Sequence, residues 1–328
     1  MIKRTFITRI SLLIMSLCFV LFVGIANAQL APPSQISLVA SPKHPSPGEE
    51  VRVQASFYLS DLDRAVFEWF INGSSKKTGV GEKTLTVVAP PLGTPLRIRV
   101  DALTEDGRFL SKNLVIRSAD VDLLWEAETS APPFYRGKTL PSSGSMLRVV
   151  AFPNFLTDQK TQIPARELFY DWSVGGKKML AESGFGKNYI VAPTKPLATR
   201  TDVSVTVTSS DSTLEATKKI IIPSVEPEVV LYEEKPLLGV LYEKAVEGTF
   251  MLLGNEATLK AEGYHFAVRH DNTTYAWNLN GKKTAQGGPH FVLVKNDDGT
   301  SGTARIDMTV EHADDYLQKA FKQILIRF

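Results

Sequence analysis

The chain has 328 residues, 43% of them hydrophobic, which suits a folded protein of two or three domains. Its 37 basic and 35 acidic residues leave a formal charge of +2, and three of the basic residues lie in an N-terminal segment that we expect to be removed. The mature protein is then nearly neutral, which excludes the concentrated basic surface that nucleic-acid binding requires.

The N-terminus has the three parts of a Sec-type signal peptide. Lys3, Arg4 and Arg9 form the charged region, residues 10–24 are apolar, and Ala26-Asn27-Ala28 supplies the small residues of a cleavage site. We therefore predict that the mature protein begins at Gln29 and is secreted, periplasmic or displayed on the cell surface. The alternative is an uncleaved anchor, although the apolar run is shorter than the ~20 residues that span a bilayer.

The single cysteine, Cys18, lies within the predicted signal peptide, residues 1–28. The preceding residues fit a lipoprotein cleavage site poorly, and no later apolar run is long enough to span a membrane. The mature chain thus contains no cysteine. Each of its domains must be stabilised by its hydrophobic core without disulfides.

A tryptophan motif occurs three times in the chain, with the pattern aromatic-x-Trp-x-aliphatic-x-Gly. Its tryptophans are Trp69, Trp172 and Trp277, which are 103 and 105 residues apart. Strand alternation places the aromatic residue, the tryptophan and the aliphatic residue on one face. We predict that the three tryptophans are equivalent core residues; the alternative is a platform on which sugars stack.

Short alternating strands and turn signals surround each motif, and each repeat closes with an aliphatic run at residues 114–116, 220–222 and 324–326. About seven short strands per ~100 residues, with one buried tryptophan, indicate an antiparallel two-sheet sandwich. The predicted fold class is all-β, with three tandem immunoglobulin-like β-sandwich domains after the signal peptide.

The repeat predicts domain boundaries at residues 29–119, 120–224 and 225–328. A proline-containing leader, residues 29–33, precedes the first domain. The second junction, residues 223–227, is short and bracketed by prolines, which restricts domain orientation. Three sandwiches of roughly 30–35 Å, joined end to end, predict a rod of about 100 Å.

The tryptophan strand, the Gly-x-Gly turns at Gly79-Val80-Gly81 and Gly184-Phe185-Gly186, and the closing aliphatic strand resemble bacterial extracellular Ig-like and PKD-like repeat domains. The resemblance covers almost the whole mature chain at the level of fold. The Trp-Asp-Phe-Gly-Asp-Gly core of PKD domains and the cysteine pair and tyrosine corner of antibody-type domains are missing, so no subfamily is assigned. The resemblance implies an adhesive, spacer or carbohydrate-contacting module, sometimes attached to enzymes or pili.

Motifs for catalysis are missing from the sequence, which has no Gly-x-Ser-x-Gly and no His-Glu-x-x-His. His265 and His270 are five residues apart, so on a strand they face opposite ways and are poor metal co-ligands. Residues 78–84 resemble a phosphate-binding loop, but no helix follows them and we interpret them as a turn. We predict that the protein is not an enzyme and needs no cofactor or metal.

Calcium binding is an alternative that three acidic loops leave open. They are residues 61–63, 296–299 and 314–315. Calcium prefers clustered oxygen ligands, but Asp and Asn are also common turn formers. The second interpretation requires no ion.

Two segments exceed what the repeat needs to fold, namely Glu126–Gly144 and Glu233–Gly254. The first begins beside Trp125 and contains Phe134 and Tyr135, and we predict that these three aromatic residues contact a partner. The alternative is packing at the junction of domains 1 and 2. The second segment is the other candidate for a partner surface.

These features favour a non-catalytic secreted or cell-surface protein of structural or adhesive type, associated with a pilus or the cell envelope. It would present a surface for an extracellular or envelope protein on a rod of Ig-like domains. A carbohydrate-binding protein is the first alternative, with a glycan as ligand. A hydrolase with an unrecognised site is the second.

Overall fold

The computed structural model describes residues 36–58, 62–133, 135–268, 273–295, 301–313 and 315–328. The described residues form 24 β-strands and one 3-10 turn, Ala165–Glu167, so the predicted all-β class is confirmed. The predicted signal peptide lies outside them. No described helix has the length and apolar character needed to cross a membrane.

The chain divides into two compact units. The first contains the described residues up to Ala40, together with Arg52–Thr86 and Arg97–Leu114; the second contains Ser41–Val51, Val87–Leu96 and Val115–Phe328. The second unit holds two separate hydrophobic cores, one built from residues 119–222 and the other from residues 229–326.

The first sandwich has a three-stranded sheet, β1-β2-β5, and a four-stranded sheet, β4-β3-β6-β7. In β2, Val51, Val53 and Ala55 are buried and the residues between them are exposed, as expected for a strand with one face on a core. The strands are β1 (Ser37–Ser41), β2 (Glu50–Ser56), β3 (Val66–Ile71), β4 (Ser74–Val80), β5 (Thr84–Val88), β6 (Leu96–Leu103) and β7 (Phe109–Ile116).

The second sandwich has the sheets β13-β9-β8 and β11-β10-β14-β15, with β12 paired to β10. Its core includes Phe155, Leu168 and Tyr170, which are fully buried. The strands are β8 (Asp120–Glu128), β9 (Met146–Asn154), β10 (Leu168–Val174), β11 (Lys177–Lys178), β12 (Gly184–Phe185), β13 (Tyr189–Pro193), β14 (Arg200–Ser209) and β15 (Glu215–Pro223).

The third sandwich has the sheets β17-β16-β19-β22 and β18-β24-β23-β20-β21. The long segment Glu233–Gly254 supplies both β17 and β18, so it adds an edge strand to each sheet. The strands are β16 (Glu228–Lys235), β17 (Gly239–Val246), β18 (Thr249–Met251), β19 (Glu256–Tyr264), β20 (Thr273–Leu279), β21 (Lys282–Gly287), β22 (His290–Val294), β23 (Thr303–His312) and β24 (Asp315–Arg327).

One buried tryptophan occupies the same position in each sandwich. Trp69, Trp172 and Trp277 are all fully buried. Their indole N–H groups donate to the backbone carbonyls of Glu82 at 2.7 Å, of Lys187 at 2.8 Å and of Gly288 at 3.0 Å, respectively. An indole N–H that is removed from water needs such an acceptor, so the same hydrogen bond recurs with the motif.

Glycine in the Gly-x-Gly turns explains how these carbonyls reach the indoles. Gly81 and Gly186 immediately precede the acceptor residues in the first two sandwiches, and both have φ of 71°. A β-carbon on Gly81 would lie 2.7 Å from the carbonyl oxygen of Asp63. The turn therefore requires glycine for both its left-handed conformation and its close backbone contact.

Replacing any of the three tryptophans with alanine should lower the free energy of unfolding of its own sandwich by about 3–5 kcal/mol, because burial is lost and a cavity remains. Trp125→Ala is the matched control, since Trp125 is only partly buried and should cost less. Chemical unfolding of the mature chain measures both. A loss below about 1 kcal/mol at Trp69, Trp172 or Trp277 would contradict the core assignment and favour the sugar-platform alternative.

Candidate binding surface

Trp125 lies on β8 with its ring partly covered by the protein itself. The side chain packs against the core of the second sandwich, and the Lys138 ammonium lies 3.4 Å from the ring centroid. Desolvation lowers the pKa of Lys138, while the charge of Glu126 opposes that shift. The cation–π contact therefore occupies a ring face that the sequence suggested for a partner. Phe134 lies outside the described residues.

Tyr135 contacts the third sandwich. Its ring meets that of Tyr264, at the end of β19, edge-on with 5.7 Å between the centroids and an angle of 78°. Tyr135 as a whole is 41% exposed. The sequence did not indicate this contact between the Glu126–Gly144 segment and the third sandwich.

Residues 128–130 of the Glu126–Gly144 segment are bound to the third sandwich by backbone hydrogen bonds. The Ser130 amide donates to the Phe266 carbonyl at 2.7 Å, and the His265 amide donates to the Ser130 carbonyl at 2.8 Å. Thr129 and Ala267 form an antiparallel bridge. We call this set of contacts, together with those of Gln318, the joint.

Gln318 on β24 adds side-chain hydrogen bonds to the joint. Both Gln318 and Ser142 are fully buried. The Gln318 amide donates to the Ser142 hydroxyl at 3.0 Å and to the Ser143 carbonyl, and its oxygen accepts from the Ala267 amide at 2.9 Å. Every polar atom of this side chain is thus paired, as burial requires.

The segment Glu233–Gly254 has several apolar side chains exposed to solvent, whereas Glu126–Gly144 contacts the third sandwich. Its hairpin turn carries Leu237, which is fully exposed, and Leu238, which is 71% exposed. Leu253 is 91% exposed and Met251 is more than half exposed. We call the two exposed leucines of this turn, Leu237 and Leu238, the insertion surface. The same segment also lines a groove of about 530 Å³ through Leu241, Met251 and Leu253.

Leu237 also has an unfavourable backbone conformation. Its φ is 68°, in the left-handed region that glycine and asparagine occupy more easily than a residue with a bulky side chain. The turn is short, with the Leu238 amide donating to the Lys235 carbonyl at 3.3 Å. Exposure of an apolar side chain and a left-handed backbone are both unfavourable in the free protein, a combination that favours a functional role.

Polar contacts of Tyr242 hold the hairpin on its sheet. Its hydroxyl donates to Glu262 at 2.6 Å and accepts from the Lys260 ammonium at 3.2 Å, and Lys260 lies 2.8 Å from Glu262. The Tyr242 and Tyr232 rings meet edge-on at 5.2 Å. The insertion surface is therefore presented by an anchored hairpin.

The pKa shifts in this cluster favour structural roles for its side chains. Burial raises the pKa of Tyr242, and the hydrogen bond to Glu262 adds to the rise. Burial alone would lower the pKa of Lys260, but the hydrogen bonds with Glu262 and Tyr242 reverse this and raise it. At neutral pH the phenol stays neutral and the amine stays charged, so neither is prepared for proton transfer.

The sequence-predicted metal candidates fall mostly outside the described residues; these are His270, Asp61, residues 296–299 and Asp314. Within the described part of the chain, no three His, Cys, Asp or Glu residues are grouped to hold an ion. His265 does not lie on a strand, as the spacing argument assumed. It occupies the bend after β19 with φ of 64°, because its backbone turns there to meet Ser130.

Comparison with known proteins gives likeness of fold. The sequence matches no protein-family model and no curated protein. The fibronectin(III)-like modules of CbhA from Clostridium thermocellum are 12% identical, with a TM-score of 0.29 over 57% of this chain and 94% of that one. The central fibronectin-III array of RIM-binding protein is also 12% identical, with a TM-score of 0.29; the match covers 88% of this chain and 95% of that one. A structure from a 1.5-MDa bacterial ice-binding adhesin is 9% identical, with a TM-score of 0.23; the match covers 90% of this chain and 98% of that one.

Gln318→Leu should loosen the joint, because the substitution keeps much of the side-chain volume but leaves the Ala267 amide and Ser142 without their partner. A buried unpaired group costs about 1–3 kcal/mol, so hydrogen exchange of the Ala267 amide should accelerate about 5- to 150-fold. Gln323→Leu on the same strand, where Gln323 bonds Asp307 at 2.7 Å, is the matched control. Equal acceleration of the Ala267 amide in both variants would contradict the role of Gln318.

Proposed function

We propose that the protein is a non-catalytic, secreted or cell-surface binding protein that engages an extracellular or envelope protein through the insertion surface. The observation that carries this proposal is the exposed pair Leu237 and Leu238 at the tip of the β16–β17 hairpin, with Leu237 in a left-handed conformation. Burying both side chains in a partner's pocket removes apolar area from water, which is the main source of affinity at interfaces.

Anchoring of the hairpin supports the proposal. Tyr242, Lys260 and Glu262 already hold β17 in place, so the surface loses little conformational freedom when a partner binds. Affinity then depends mainly on the apolar contact, since little of the binding free energy is spent on ordering.

The charges beside the tip suggest the chemistry of the partner. Residues 233–247 contain four acidic and two basic side chains. An apolar pocket with a basic rim complements this pattern, and such complementarity accelerates association and discriminates between partners. An anionic lipid surface would be repelled by the same excess of acid.

Secretion, the domain boundaries and the rod belong to the same proposal. The signal-like segment at residues 1–28 supports export, and the repeats at 29–119, 120–224 and 225–328 support three modules that hold the insertion surface away from the envelope. The lack of recognisable catalytic motifs in the sequence, and the raised pKa values of Tyr242 and Lys260, support a non-catalytic role.

A glycan is the second candidate ligand, favoured by one cleft between the second and third sandwiches. The cleft has a volume of about 410 Å³, within the usual range for small-ligand sites. Tyr316 is 85% exposed at its wall, and Glu226 and Lys319 offer polar groups of opposite charge. Saturable binding on a glycan array that is lost in Tyr316→Ala, but not in Leu237→Asn/Leu238→Ser, would favour this function.

The double variant Leu237→Asn/Leu238→Ser tests the protein-binding proposal. A photoreactive residue at Lys235, which is exposed and whose carbonyl accepts a hydrogen bond from the Leu238 amide in the turn, should crosslink one partner protein on the producing cell. The double variant should reduce that crosslink at least tenfold, because the apolar contact is lost. Its free energy of unfolding should be unchanged or slightly higher, since asparagine suits a positive φ.

Leu180→Ser is the matched control, because Leu180 is 77% exposed in the second sandwich and lies outside the insertion surface. Its crosslink should equal that of the wild type. An unchanged crosslink in the double variant, or an equal loss in Leu180→Ser, would overturn the proposed surface.

A further inference from the structure

His265 lies at the centre of the joint and is bonded to the segment Glu126–Gly144 by two of its atoms. Its backbone amide donates to the Ser130 carbonyl at 2.8 Å. Its ring nitrogen Nδ1 accepts a hydrogen bond from the Leu140 amide at 3.3 Å. Ser130 and Leu140 are ten positions apart in the segment, so His265 bonds both ends of the intervening loop to the third sandwich.

The bond to Leu140 depends on the protonation state of the ring. A neutral imidazole has one nitrogen free to accept, whereas both nitrogens of an imidazolium carry a hydrogen. When a proton from solvent binds Nδ1, the ring N–H faces the backbone N–H of Leu140 and the hydrogen bond is lost. The positive charge is also placed in a partly buried joint, where it is poorly hydrated.

The surroundings of the ring oppose this charge overall. Desolvation lowers the pKa of His265, and it outweighs the attraction of Glu228 on β16, which raises it. The Tyr264 ring, whose centroid lies 6.2 Å from that of His265, adds no charge at neutral pH. Burial and the hydrogen bond with Tyr232 raise the pKa of Tyr264, so it stays neutral.

We propose that His265 is a pH-sensitive latch between the second and third sandwiches, closed when the ring is neutral and released when Nδ1 takes up a proton. The latch is distinct from the insertion surface and does not depend on what that surface binds. Its effect is to free the Glu126–Gly144 segment from the bend after β19, which loosens the joint in acidic surroundings.

The direction of the pH dependence follows from the lowered pKa. A group that binds protons more weakly in the closed state stabilises that state above the ordinary histidine pKa of about 6.5. This contribution is lost as the pH falls through the lower, closed-state value. The joint should therefore be closed at pH 7 and open increasingly as the pH approaches about 5.

Amide hydrogen exchange of the full mature chain tests the latch. Reporters are the amides that cross the joint, Ser130 to the Phe266 carbonyl and Val268 to the Glu128 carbonyl at 3.2 Å. Between pH 7 and pH 5 their protection factors, corrected for intrinsic exchange, should fall by up to about tenfold per pH unit below the histidine pKa. Amides of the β10–β14 pairing in the second core should keep their protection.

His265→Asn is the decisive variant, because asparagine tolerates a positive φ and its Oδ1 takes the place of Nδ1 as an acceptor that does not titrate. The reporters should then stay protected at both pH values. His290→Asn is the matched control, since His290 is an exposed histidine of the same sandwich, 3.3 Å from Glu234; it should open like the wild type. Constant protection in the wild type, or an equal loss in His265→Asn, would overturn the latch.

A titration of the wild type tests the latch even if the joint of the His265→Asn variant does not close at pH 7. In NMR spectra the Leu140 amide shift should follow the same midpoint as the His265 ring signals, and that midpoint should lie below about 6.5. Different midpoints for the two signals would also overturn the proposal.

Discussion

The structure depends on one constraint, which is that a buried indole must find an acceptor for its N–H group. Each sandwich meets this constraint in a similar way, with a tryptophan on a central strand and the backbone carbonyl of a left-handed glycine, or of the residue after one, as acceptor. Because the predicted mature chain has no cysteine, this packing replaces the disulfide that pins the two sheets in many secreted sandwiches. The repeated motif is thus a repeated solution to one problem of burial.

The two long segments outside the cores make different contacts. Glu126–Gly144 meets the bend of the third sandwich, where its backbone groups and the buried Gln318 satisfy one another. Glu233–Gly254 instead completes both sheets as edge strands and leaves its leucines in solvent. One segment makes the second unit compact, and the other leaves apolar area available for contact.

The joint is made chiefly of polar contacts, and that gives it a different response from the cores. Among the described residues, the hydrophobic clusters of the second and third sandwiches consist of aliphatic and aromatic side chains and methionine. The joint has an imidazole acceptor beside backbone amides, so its stability is linked to proton concentration. A fully paired polar network is rigid, yet it weakens sharply when one member changes its hydrogen-bonding role.

The sequence alone determined the sandwich fold, since alternation such as that of Val51, Val53 and Ala55, and the three spaced tryptophans, are local patterns with a period of two. It also singled out both long segments, because they exceed the repeat. It did not separate their roles, and it placed His265 on a strand. Those outcomes depend on contacts between distant residues, such as Ser130 with Phe266 and Ser142 with Gln318, which leave no periodic signal along the chain. Only the tertiary structure decided them, because hydrogen bonding across a joint depends on which backbone groups meet in space.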